Sequence, residues 1–159
     1  MRVPFVAAFA LIAASSLPAQ QAVPDLSAAT PVAGNWTYAA TMDGSEATFA
    51  NPSALAQLTI RCVRATRRIM ISKPSTTAAP FMYVWTNSAV RSVPASFNPL
   101  TNRITIDVIS NDPLLDALAF SRGRIGVIVP QPAGSAAQSV RLVVPAWPEI
   151  ARVVEDCRS

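Results

Sequence analysis

Residues 57–74 read QLTIRCVRATRRIMISKP. Leu58, Ile60 and Cys62 alternate with Thr59, Arg61 and Val63, and Ile69 and Ile71 resume the alternation after a turn at Ala65-Thr66. Side chains two residues apart leave a strand on the same face, so this period predicts two hairpin-linked strands with one face buried. Cys62 shares the apolar face with Leu58 and Ile60, and its sulfur is expected to point inward.

The same pattern extends outward in both directions. Upstream, NWTYAATMDGSEATFAN (35–51) places Asp43-Gly44, residues tolerant of positive φ, between two β-prone runs and predicts a tight hairpin there. Downstream, FMYVWTNSAVRSVPASF (81–97) turns at Asn87-Ser88, and NRITIDVIS (102–110) alternates Ile104, Ile106 and Val108 with polar residues. GRIGVIVP (123–130) and SVRLVVP (139–145) complete the set, separated by a Gly/Ala/Ser loop at 131–138. Eight or nine short strands at this spacing predict a mainly β fold, an antiparallel sandwich or barrel. No internal repeat is visible.

Two segments depart from the period of two. In DPLLDALAFSRGR (112–124), Asp112 stands at an N-cap position, Pro113 at the first helical position and Asp116 in the first turns, with Gly123 expected to end the helix. Leu114, Leu115, Leu118 and Ala119 form an apolar stripe at helical spacing. In WPEIARVVEDCRS (147–159), Ile150, Val153, Val154 and Cys157 fall at i, i+3, i+4 and i+7, which predicts a C-terminal helix packed on the sheet with Cys157 facing it. Glu149 with Arg152, and Arg152 with Asp156, are spaced to pair on its outer side.

Cys62 and Cys157 are the only cysteines. In an oxidising compartment an even pair reads as one disulfide, here closing a loop of roughly 95 residues and stabilising the fold by about 4 to 5 kcal/mol in the chain-entropy model. The alternative, free or metal-binding thiols, is weakened because the chain of 159 residues contains no histidine. Neither a metal site nor a cofactor motif is expected.

At the N-terminus, Met1-Arg2 precede an apolar run from Val3 to Ala14 and the small-residue segment SSLPA (15–19). This is the layout of a secretory signal peptide, with cleavage expected after Ala19. The run is shorter than the roughly 20 apolar residues of a spanning helix, and no transmembrane segment is expected after it. Residues 20–34, rich in Pro and Ala without apolar period, read as a flexible lead-in, and residues 35–159 as a single β-rich domain of ordinary size. Loss of Arg2 lowers the formal charge from +4 to +3, too mild a balance to call for nucleic acid.

The absence of histidine removes the commonest general base. No G-x-S-x-G elbow occurs, the acidic residues are too scattered for a calcium loop, and the only lysine, Lys73, merely follows Ser72 in a strand. SRGRIG (121–126) mimics a phosphate loop but runs from helix to strand, the wrong order. Asp112, Asp116 and Glu46 are left as the carboxylates of a periplasmic hydrolase, the alternative reading of function. For binding, Arg61, Arg64, Arg67 and Arg68 crowd one hairpin and are candidates to hold an anionic envelope component, such as lipopolysaccharide phosphates, or an acidic patch of an envelope protein. Arg122 and Arg124 join that patch only if the fold brings them close. Tyr83 and Trp85 share one face of a strand, where they form either a binding platform or, as expected of a small core, buried packing.

The order helix, strand, loop, strand and terminal helix, in LLDALAFSRGRIGVIVP (114–130) and VRLVVPAWPEIARVVEDC (140–157), resembles the C-terminal half of small exported proteins of Gram-negative bacteria. It is similar to the invasion-associated locus B family and the type VI secretion accessory VasI family. The resemblance implies an exported β-rich envelope protein without established catalysis, and it carries over no functional residue. An exported, non-enzymatic binding or structural protein of the bacterial cell envelope, periplasmic or secreted, is therefore expected.

Overall fold

The computed structural model describes residues 25–131 and 140–159. The expected signal peptide (1–19), the first part of the lead-in and most of the Gly/Ala/Ser loop lie outside the described residues. The elements in chain order are β1 (Asn35–Thr41), β2 (Gly44–Ala50), β3 (Ala56–Val63), β4 (Arg68–Pro74), β5 (Phe81–Trp85), β6 (Val90–Asn98), β7 (Arg103–Ile109), α1 (Pro113–Ala119), β8 (Arg124–Val129), β9 (Val140–Pro145) and α2 (Pro148–Arg158). As expected, the fold is mainly β, with a short helix and a C-terminal helix packed on antiparallel strands. The nine strands among the described residues belong to one open sheet in the order β1-β2-β3-β4-β7-β6-β5-β8-β9.

Register turns local alternation into a core. Cys62 lies opposite Ile69 and Ile69 opposite Val108, while Ile60 lies opposite Ile71 and Ile71 opposite Ile106. These rows form one apolar face, and α2 closes it with Ile150, Val153, Val154 and Cys157, all fully buried. Each such aliphatic side chain contributes about 1.5 to 3 kcal/mol of transfer free energy. Cys62 and Cys157 are bonded across this interface, with Cα atoms 5.5 Å apart. The sheet bends far enough for its two edges to meet: the Trp36 Nε1–H of β1 donates to the Pro145 carbonyl of β9 at 2.8 Å.

One connection breaks the meander. The chain leaves β4, passes the ends of β7 and β6, and enters the sheet as β5. Three inter-strand steps are about 14 Å, within the reach of about 20 Å of residues 75–80. Backbone bonds from Ser75 N–H to Asn102 O and from Ala95 N–H to Pro80 O fasten the two ends of this link.

Three local expectations are corrected. In the first hairpin Thr41 faces Gly44, so the loop residues are Met42 and Asp43, not Asp43-Gly44, and none of the three has positive φ. Glycine is needed at 44 for space, because a Cβ there would lie 2.3 Å from the Cys62 carbonyl oxygen. Helix α1 ends at Ala119 with Phe120 as its cap, its N–H reaching Asp116 O, because the chain must already turn toward β8. Gly123 is therefore no helix cap; with φ +95° it makes the left-handed turn into β8. The second half of the lead-in is docked rather than flexible: Leu26 is buried against Trp85, Ile128 and Val143, and Val32 N–H donates to Val143 O at 2.8 Å. Gly126 makes room for it, since a Cβ there would stand 2.2 Å from Leu26 Cδ1.

Candidate functional site

The face of β2-β3-β4-β7 turned away from the core is polar, because every second residue of these strands faces it. Thr59 lies opposite Ser72 and Ser72 opposite Thr105, while Arg61 lies between Glu46 and Met70. Arg103, at the start of β7, reaches back across β4 to β3. Its Nη2–H donates to Ser72 Oγ, Ser72 O and Thr59 Oγ1, each at 3.0 Å, and its Nε–H to Ser72 Oγ at 3.3 Å. Burial lowers the Arg103 pKa and the nearby Glu46 charge opposes the shift, but a guanidinium remains protonated throughout the working range.

The β6–β7 turn raises a wall beside this guanidinium. Asn98 Oδ1 accepts from the N–H groups of Leu100 and Thr101, which holds the turn in place. Between wall and sheet lies a cleft of about 340 Å³, whose lining includes Glu46, Arg61, Met70, Asn98, Thr101 and Arg103. That volume is at the lower end of small-molecule sites, about 300 to 1,000 Å³.

The four arginines expected to form a patch stand in different surroundings. Arg61 lies on this face but is held by both Asp43 carboxylate oxygens, at 2.7 and 2.9 Å, with Glu46 at 3.8 Å. Arg68 is held on the same face by Asp107 at 2.8 Å. Arg64 sits exposed in a single 3-10 turn (Arg64–Thr66), and Arg67 follows it in the left-handed conformation, lining a separate cleft with Arg158. Arg124 is directed elsewhere, to the Ala29 carbonyl.

The carboxylates proposed for acid–base work are each engaged. Asp112 accepts from Leu114 N–H at 2.8 Å as the cap of α1 and is clasped by both Nη groups of Arg91. Asp116 pairs with Arg158 at 2.7 Å, tying α1 to α2. Glu46 accepts from Thr48 Oγ1 at 3.0 Å besides facing Arg61. Ser72 and Lys73 lie on opposite faces: Ser72 accepts from Arg103, whereas Lys73 is buried with its Nζ donating to Pro74 O at 2.8 Å. Burial first, and Arg103 second, push the Lys73 pKa down. Among the described residues no three Asp, Glu, Cys or His side chains gather as a metal site.

The aromatic strand is largely packing. Trp85 is buried beneath Leu26, and half-buried Tyr83 meets Phe81 edge to face at 5.1 Å. On α2 the expected Arg152 ion pairs with Glu149 and Asp156 are not formed. Arg152 instead lies 3.9 Å above the Tyr38 ring, and Asp156 accepts the Tyr38 hydroxyl proton at 2.5 Å. Arg103, the centre of the cleft, was missed by sequence reasoning. Its one signal is its place on the polar side of the β7 alternation, with Thr105 and Asp107.

Asp112 yields a pH prediction. Arg91, and then the Leu114 amide, hold its carboxyl below the usual carboxylate range, against the opposing effect of burial. A carboxyl with a lowered folded pKa stabilises fully above its unfolded pKa of about 3.9 and loses that effect as pH falls through the lower folded value. Asp112→Asn keeps the capping oxygen but removes the charge. It is expected to cost about 1 kcal/mol at neutral pH, because half-exposed Arg91 keeps the pair in the modest range. Urea midpoints should converge for the two proteins as pH falls toward about 2; a gap that persists unchanged contradicts the assignment.

Compared with known proteins, the chain matches no family model, no curated protein and no solved structure.

Proposed function

We propose that this is an exported, non-enzymatic binding protein of the bacterial cell envelope, periplasmic or secreted, which presents the polar face of β2-β3-β4-β7 to its ligand. The observation that carries the binding reading is the cleft at Arg103, where a half-buried cation and several hydroxyls converge on a rigid sheet. The signal-peptide layout of residues 1–19 and the buried Cys62–Cys157 bridge support export, since such bridges persist in oxidising compartments. No helix among the described residues is long and apolar enough to cross a membrane. The engagement of Asp112, Asp116 and Glu46 in caps and ion pairs disfavours the hydrolase alternative.

Affinity capture from envelope extract tests the reading. The oxidised protein is compared with Arg103→Gln and with a variant carrying serine at Arg61, Arg64, Arg67 and Arg68. Specific envelope material should be retained by the wild type and lost with Arg103→Gln. Identical material on all three proteins contradicts a binding role for this face.

A further inference from the structure

Resting on that reading, we infer that Arg103, Ser72 and Thr59 form an oxyanion subsite, and that the cleft takes a small hydroxylated anion with the chemistry of an acidic sugar, a uronate or a sugar phosphate. On this face Arg61 is balanced by Asp43 and Glu46, and Arg68 by Asp107. Among the described residues Arg103 bonds only neutral oxygens, two hydroxyls and one carbonyl, with the Glu46 charge acting on it from beyond contact. Its guanidinium is half buried and oriented, yet no carboxylate contacts it among the described residues.

Proton accounting points the same way. A hydroxyl has one proton to donate. Ser72 Oγ and Thr59 Oγ1 both accept from Arg103, so their own protons are left to be donated elsewhere, and neither donates to a described residue. Nη1 of Arg103 also has no described acceptor. A fixed guanidinium flanked by two hydroxyl donors lacks only an acceptor, and a carboxylate or phosphate oxygen supplies the strongest charge-assisted bond available to it.

The rest of the cleft selects a hydroxylated body for that anion. Asn98 commits its carbonyl oxygen to the turn, leaving its amide protons for a ligand. Thr101 and Thr105 add further hydroxyls, and Met70, opposite Asp107 on the neighbouring strand, offers an apolar patch for the C–H face of a ring. Glu46, 30 % exposed in the lining of the cleft, is an acceptor for sugar hydroxyls and disfavours a second anionic group beside it.

Amide NMR titrations of the oxidised protein at about 0.15 M salt, where unsupported surface attraction is largely screened, provide the test. The probes are glucuronate, glucose 6-phosphate, inorganic phosphate and neutral glucose. Saturable shifts centred on Thr59, Ser72, Arg103 and Thr105 are expected with the two sugar anions. Their affinity should exceed that of inorganic phosphate and glucose by tenfold or more, and the tighter of the two assigns carboxylate or phosphate. Arg103→Gln should lose at least tenfold, and Arg103→Lys should recover part of that loss. Thr59→Val and Ser72→Ala, which retain all charges, should each lose severalfold, so the test stands if the Gln variant folds poorly. No saturable shift with either sugar anion, or affinity unchanged in these variants, overturns the inference. If that happens while envelope capture still depends on Arg103, the ligand class fails and the binding face stands.

Discussion

Replacing both Cys62 and Cys157 with alanine is expected to lower the unfolding free energy by about 4 to 5 kcal/mol. The bridge closes a sequence separation of 95 residues, from β3, third from one edge of the sheet, to the last turn of α2. It removes more freedom from the unfolded chain than a short-range bridge would. Since a domain of this size has about 5 to 15 kcal/mol of net stability, the loss brings the protein close to its threshold. Alanine is the informative replacement, because both sulfurs are fully buried and a serine hydroxyl would add an unpaired polar group. Guanidinium midpoints of the oxidised wild type, the reduced wild type and the double variant provide the check. The last two should fall together, well below the first. If reduction leaves the midpoint in place, the bridge is not what ties α2 to β3.

Trp36→Ala is the second large effect, expected at about 3 to 5 kcal/mol. Trp36 is nearly buried, meets the Phe49 ring at a centroid distance of 5.5 Å, and bonds the far edge of the sheet through Pro145. Its loss leaves a cavity at the junction of β1 and β9 and opens the contact between the edges. Trp36→Phe keeps most of the volume and removes the Nε1–H, so it should cost only about 1 kcal/mol beyond the change in packing. Urea denaturation of both variants tests the bend of the sheet. Equal, small losses would mean that the two edges do not depend on this side chain.

What was legible in the sequence was local. Leu58, Ile60 and Cys62 announce their common face by period alone, and Ile150, Val153, Val154 and Cys157 announce theirs at helical spacing. Strand order was not legible, because nothing in residues 75–80 states that the chain passes two strand positions before pairing again. Arg103 was hidden for the same reason: its neighbours Ser72 and Thr59 are 31 and 44 residues away and meet it only through the β4–β7 and β3–β4 registers. The conspicuous arginines, Arg61 and Arg68, instead found carboxylates, Asp43 in the β1–β2 loop and Asp107 on the neighbouring strand β7.

Other misreadings have equally physical causes. Asp43-Gly44 has the composition of a positive-φ turn, but Gly44 is required by the close approach of the Cys62 carbonyl. Leu26 sits in a Pro- and Ala-rich stretch with no apolar period, and its burial depends on the side chain that Gly126 lacks. Capping chemistry at Asp112 was readable because the cap, the proline and the apolar stripe all lie within one short segment.

Export and the bridge are tested together by intact mass. The full chain, with its own N-terminal segment, is expressed in a Gram-negative host, recovered from osmotic-shock fluid, and alkylated before and after reduction. The account predicts a chain beginning at Gln20 that takes no label until reduction and then takes two. A chain retaining residues 1–19 in the cytosolic fraction, with both thiols labelled without reductant, would contradict it.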